Sequence, residues 1–271
     1  MPRWLKIALL AALLIAAALA FGIMCRRMAA AYRLLLPPPG PLLRLLLLLW
    51  LSMQAMAVAA GVVAVLFRPQ QAAYLTFALS GLALLAGWGW APSHLALTLL
   101  YIAAGALFTA LTQRDLQQRI RFSVRPVGEN WRLVMMVLLV LAVASFYLGF
   151  AEHVRSEGFS LPEQQVEGLT AEVAHEVVAA TPLSRLDLLR DEAVRQVQRV
   201  LRDLLERQLR RVERYIPPFA AIVLFVLLFA VVWLSWWMPM LILVVLFPLL
   251  TALGLAKWTV EIVEVQRLAI H

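Results

Sequence analysis

YIPPFAAIVLFVLLFAVVWLSWWMPMLILVVLFPLLTALGLA, residues 215–256, runs for 42 residues without an Asp, Glu, Lys or Arg. About 20 apolar residues in a helix cover the hydrocarbon core of a bilayer. A run twice that length holds material for two crossings and has no place in a water-soluble domain. It is interrupted at Trp236-Trp237-Met238-Pro239. Pro239 suits the first turn of a new helix, where its missing N–H costs nothing. Residues 217–257 are therefore expected to form a transmembrane hairpin of two spans.

The same criterion, carried outward, finds four further charge-free stretches: 7–25, 45–67, 69–113 and 133–151. The 69–113 stretch breaks at Gly87-Trp88-Gly89-Trp90-Ala91-Pro92, which predicts two helices joined by a tight turn. Residues 1–150 are thus expected to be a membrane domain with spans at about 7–25, 45–67, 70–88, 93–112 and 133–151. Composition agrees: 63% of the 271 residues are hydrophobic, 15% are charged, and mean hydropathy is +0.84. A soluble domain carries roughly 25% charge. The expected fold class is an all-α integral membrane protein of about seven transmembrane helices with an extramembrane helical hairpin. Arg3, Lys6 and Ala18-Leu19-Ala20 also fit a secretory signal; the first span is expected to remain as an uncleaved anchor.

Charge is divided unevenly. Residues 1–150 hold 12 Lys/Arg and 2 acids; the remainder, 24 − 12 = 12 basic and 16 − 2 = 14 acidic residues, lies in 151–271. The basic excess sits in short loops between apolar runs, where it sets membrane orientation. Nucleic acid is therefore not an expected partner, despite a pI near 10.5. With the N-terminus in the cytoplasm, eight basic residues fall inside (Arg3, Lys6, Arg68, Arg114, Arg119, Arg121, Arg125, Arg132) and six outside (Arg26, Arg27, Arg33, Arg44, Lys257, Arg267). The N-terminus is expected in the cytoplasm of a bacterial inner membrane, with 113–132 inside and 151–218 outside.

Residues 152–216 are the sizeable extramembrane segment. Ser160-Leu161-Pro162-Glu163 matches a capping box, and Thr181-Pro182 restarts a helix whose apolar stripe includes Val197, Leu201, Leu205, Leu209 and Val212. Acidic 151–182 would fold back on basic 183–216 as a helical hairpin. Its second helix outruns the first, leaving Leu205, Leu209 and Val212 without an internal partner, next to Arg207 and Arg211. The tail 258–271 is β-branched, with Val263 and Val265 in its middle, and offers an edge for a second chain. These seven residues are the expected partner-binding set.

Residues able to carry chemistry are few. Within the spans the polar side chains are Ser52, Gln54, Thr76, Ser80, Thr98, Thr109, Ser145, Ser235 and Thr251, with no ionisable residue away from an end. Ion or proton coupling ordinarily uses a buried titratable group, so a gradient-coupled transporter is not expected. Gln54, the most polar mid-span group, suits one interhelical hydrogen bond. His94 lies beside Trp88 and Trp90 as an interfacial residue. Glu172-Val173-Ala174-His175 matches one half of a carboxylate-bridged di-metal motif, and the second copy is missing. One cysteine, Cys25, excludes an internal disulfide. Trp233, Trp236 and Trp237 suit an aromatic belt at a membrane interface. Neither catalysis nor a cofactor or metal site is expected.

The favoured function is a non-catalytic structural or accessory subunit of a membrane protein complex, in contact with lipid and with other membrane subunits. It would dock through 152–216 and the tail. The competing expectations are a transporter or channel for an uncharged or lipid-like solute, and a sensor signalling through the 183–216 helix.

Overall fold

The computed structural model describes residues 3–34, 40–67, 70–117, 125–158, 196–197, 200, 213–235 and 237–254. Seven α-helices occur among them: α1 (Arg3–Ala29), α2 (Gly40–Leu66), α3 (Gln70–Trp88), α4 (Pro92–Gln117), α5 (Arg125–Glu157), α6 (Ile216–Leu234) and α7 (Met238–Ala252). Short 3-10 turns lie at Ala31–Leu34 and Glu213–Tyr215, and no strand is present among the described residues. α1 to α6 are long and apolar enough to cross a membrane; α7 is apolar but only 15 residues long. The chain is an all-helical, multi-pass integral membrane protein.

The helices overrun the charge-free stretches that announced them. α5 begins at Arg125, ahead of the charge-free start at residue 133, and takes in Glu129, Asn130 and Arg132. Charge marks where lipid ends, not where the backbone hydrogen-bond ladder ends, and Arg and Glu propagate a helix well. The Asn130 amide donates to Asp115 at 2.8 Å, joining the first turns of α5 to the last turn of α4. Of the expected 113–132 loop, 113–117 and 125–132 are therefore helical, and 118–124 lie outside the described residues. At its other end α5 takes in 152–157, the first residues of the expected extramembrane segment. Of the remaining hairpin, Val197 is helical and half-buried, and the other features from Ser160 to Val212 lie outside the described residues.

Two compact units make up the chain. One comprises Met1–Ile23, Trp50–Leu138 and Val232–His271, the other Met24–Leu49 and Leu139–Val231. The first is built on the α3–α4 hairpin. Its turn falls where the sequence places it: Gly89 adopts φ 115°, a conformation that side chains disfavour, and Pro92 opens α4. Between the two helices, the Tyr101 hydroxyl meets Ser80 Oγ at 2.9 Å, while Ser80 donates to the Phe77 carbonyl at 2.9 Å. α1 crosses α3 backbone to backbone. A Cβ on Gly22 would collide with the Leu84 carbonyl, and one on Gly87 would lie 2.6 Å from the Leu19 carbonyl. With lipid outside, close backbone approach supplies packing that the hydrophobic effect cannot.

In the second unit Gly149 of α5 lies against the Ala29 backbone at the end of α1. Cys25 and Ser145 share a hydrogen bond there, and both are fully buried. Tyr32 stacks on Phe150 (5.5 Å between centroids) and on His153 (4.3 Å), and His153 Nδ1 lies 3.5 Å from Glu157.

Candidate functional site

Trp50 and Gln54 stand four residues apart on one face of α2, near the middle of its 27 residues. Ser235, the residue after α6, meets both. The Trp50 indole N–H donates to Ser235 Oγ at 2.9 Å, and the Gln54 amide nitrogen donates to the same oxygen at 3.4 Å. Ser235 in turn reaches the Val232 carbonyl at 3.4 Å. Gln54 is only 5% exposed, and its Oε1 has no hydrogen-bond partner. A buried acceptor left unmade costs about 1–3 kcal/mol, so this amide oxygen is the costly atom of the cluster.

Proline chemistry produces the junction. In an uninterrupted helix the N–H of residue 239 would bond the Ser235 carbonyl, four residues back. Pro239 has no N–H, and its ring crowds that carbonyl. The Met238 N–H takes the Ser235 carbonyl instead, at 3.0 Å, and the α-helical ladder resumes with Leu241 N–H to the Trp237 carbonyl at 3.1 Å. Trp237 keeps helical angles, φ −80° and ψ −22°.

Beyond the junction, α7 passes along α2 in the same chain direction. Ser235 is level with Trp50 and Gln54. Further along, Leu243 lies 3.0 Å from where a Cβ on Gly61 would stand, and Val127 is 3.3 Å from that point. Met240 packs at Gly128. At the exit of α7 the Lys6 ammonium donates to the Gly254 carbonyl. Burial tells the same story along the chain. The buried residues of α6 are Pro217, Ala221, Leu228 and Val232, and those of α7 are Pro239, Leu243, Phe247 and Leu250. Within the first unit, the steps of 7, 4, 4 and 3 from Val232 through Pro239, Leu243 and Phe247 to Leu250 keep one helical row through the junction.

The cluster is neutral, and every group in it is a hydrogen-bonding group without useful acid–base character near neutral pH. It can hold a polar, uncharged group in an apolar surround. Among the described residues no set of three or more His, Cys, Asp or Glu side chains is placed to bind a metal. Glu172 and His175 lie outside them. His94 stacks on Trp88 at 4.3 Å and contacts the Gly89 carbonyl at 3.0 Å.

The expected partner-binding residues, Leu205, Leu209, Val212, Arg207, Arg211, Val263 and Val265, all lie outside the described residues. Gln54 makes the interhelical hydrogen bond expected of it. Trp50 and Ser235 were not singled out as its partners; the available signal was the i, i+4 pairing of Trp50 with Gln54. Trp233 and Trp237 are both at least half exposed, and the Trp237 indole closes onto the Leu234 carbonyl at 2.9 Å. No family model matches the chain, and no curated protein or solved structure matches it.

Proposed function

We propose that the protein is a non-catalytic membrane carrier that holds and passes an uncharged, lipid-like solute at the α2–α6–α7 cluster. The observation that carries this reading is the buried, half-satisfied Gln54 amide at a helix junction level with the middle of α2. Irregular backbone inside a bilayer is tolerated where it is buried in protein or lines a cavity, and discontinuous helices are where many transporters bind their solutes. The charge-free spans favour passage that is independent of an ion gradient. A bacterial inner membrane with the N-terminus in the cytoplasm fits the loop charges.

Dye bleaching from outside vesicles tests the reading. In vesicles containing the protein, a fluorescent glucosyl diacylglycerol should bleach beyond its outer-leaflet fraction, at a rate unchanged by a proton or sodium gradient. Equal bleaching with and without the protein refutes the carrier. The accessory-subunit reading draws on 152–216 and the tail; co-purifying subunits in mild detergent, lost on Leu205→Asp with Leu209→Asp, would favour it.

A further inference from the structure

We propose that α6 and α7 are two halves of one interrupted span, and that the break binds a hydroxyl group on the head of an uncharged lipid. This deepens the carrier reading and rests on it. Three independent features support a single span in place of a reversal at Trp236–Pro239. The buried row continues in step from Val232 to Pro239 and on to Leu250. α7 advances in parallel with α2, from Gln54 towards Gly61, and ends at Lys6 in the first turns of α1. The loop charges also improve. With one crossing fewer, Lys257 and Arg267 join the side of the N-terminus, so eight against six becomes 8 + 2 = 10 against 6 − 2 = 4. Basic residues near span ends gather on the cytoplasmic side, and ten against four obeys that rule far better. The 37 residues from Ile216 to Ala252 would run about 55 Å at helical rise, more than the roughly 30 Å core; tilt and a kink at the break reduce that excess.

The ligand chemistry follows from the amide. Gln54 offers a donor and an acceptor, and the one serine hydroxyl facing it satisfies only one of them, whichever way the amide is turned. The group that completes it must therefore be polar. No charged side chain belongs to the cluster to balance an ion, so it must also be uncharged. A hydroxyl both donates and accepts and meets the need in either orientation. Trp237 at the break is half exposed, and Trp233, Leu234 and Leu241 on either side of it are exposed as well. These apolar side chains suit a lipid tail outside the break, with its head turned towards Gln54.

Two measurements test this. Single cysteines in a Cys25→Ala background, at Trp4, Ser156 and Leu253, are labelled with an impermeant reagent in oriented vesicles. Leu253→Cys should label from the same side as Trp4→Cys and from the side opposite Ser156→Cys. Labelling of Leu253→Cys with Ser156→Cys overturns the single span. Binding of radiolabelled diacylglycerol and of its O-methyl ether is then measured in nanodiscs. The alcohol should bind about tenfold tighter than the ether, and Gln54→Leu should bring that ratio to about one, while Thr251→Val leaves it intact. Where Gln54→Leu does not assemble, Gln54→Asn, which withdraws the amide by one methylene, should lower the ratio at least threefold. Equal binding of alcohol and ether by wild type, or a preference untouched at position 54, overturns the site. If the glucosyl lipid is not moved while the hydroxyl preference holds, the carrier reading fails and the site stands.

Discussion

The α3–α4 hairpin and the α6–α7 pair are made of similarly apolar residues, yet they are held differently. In the first, each helix buries one broad band, two adjacent residues wide at Thr76-Phe77, Ser80-Gly81 and Leu84-Leu85 and at Phe108-Thr109 and Thr112-Gln113, and a tyrosine–serine–carbonyl chain crosses between the helices. In the second, only one row of each helix is buried and the other faces carry exposed Ile, Val, Leu, Phe and Trp. The polar groups differ less. Ser80 and Tyr101 satisfy one another, but Trp88 Nε1, Thr98 Oγ1 and Thr112 Oγ1 of the same hairpin are buried without a hydrogen-bond partner, as is Gln54 Oε1. What sets the second region apart is its backbone: α7 is held along one row and starts at a proline break beside the Gln54 amide.

The hardest test of that contrast is to damage the scaffold side. Gly22→Val places branched carbons against the Leu84 carbonyl, a backbone group that cannot rotate away. Overpacking of this kind costs about 3 kcal/mol. The thermal midpoint in detergent should fall sharply, or the protein should fail to assemble. A Gly22→Val protein as stable as wild type would mean that the α1–α3 crossing is not a tight contact.

The second test works on the other side. Pro239→Leu restores an N–H four residues after Ser235 and removes the ring that crowds its carbonyl, so the helix can straighten and that carbonyl can exchange its bond from Met238 for an α-helical one. Relief of a proline in a helix interior is worth up to about 3 kcal/mol, less the bond given up. The expected outcome is a higher thermal midpoint together with lost bleaching of the inner-leaflet glucosyl lipid. Stability and passage moving in the same direction would contradict a functional kink.

Much of this was legible in the residues. Spans follow from the absence of charge, because lipid offers nothing to solvate it, and the Gly87–Pro92 turn follows from what glycine and proline do to the backbone. The α1–α3 crossing was less so: Gly22 and Gly87 belong to different helices, and one helix's small residue carries no mark of which neighbour it faces. Pro239 was visible, but its consequence was not. A proline at this point is compatible with the start of a new antiparallel helix and with a kink in an old one, and local geometry alone does not choose. The choice depends on Ser235 meeting Trp50 and Gln54, a contact across more than 180 residues of chain. The docking residues around Leu205 and Val263 were read from amphipathic patterning, which states that a face needs cover and not what covers it.

The smallest expected effects separate hydrogen bonds made between helices from those made within one. Tyr101→Phe removes the donor to Ser80 Oγ, but Ser80 keeps its own bond to the Phe77 carbonyl, so no buried donor is orphaned. Interhelical hydrogen bonds in membranes average about 0.6 kcal/mol, and the loss should be of that size. Thr251→Val on α7 deletes a 2.9 Å bond from the threonine hydroxyl to the Phe247 carbonyl four residues back. That carbonyl keeps its place in or beside the helix ladder, and valine preserves the side-chain shape, so the cost should be about 0.3 kcal/mol or less, below even one interhelical bond. Refolding or thermal scans of the two variants side by side decide the matter. If Thr251→Val proves the more damaging, α7 is anchored by more than its single buried row, and its contrast with the α3–α4 scaffold narrows accordingly.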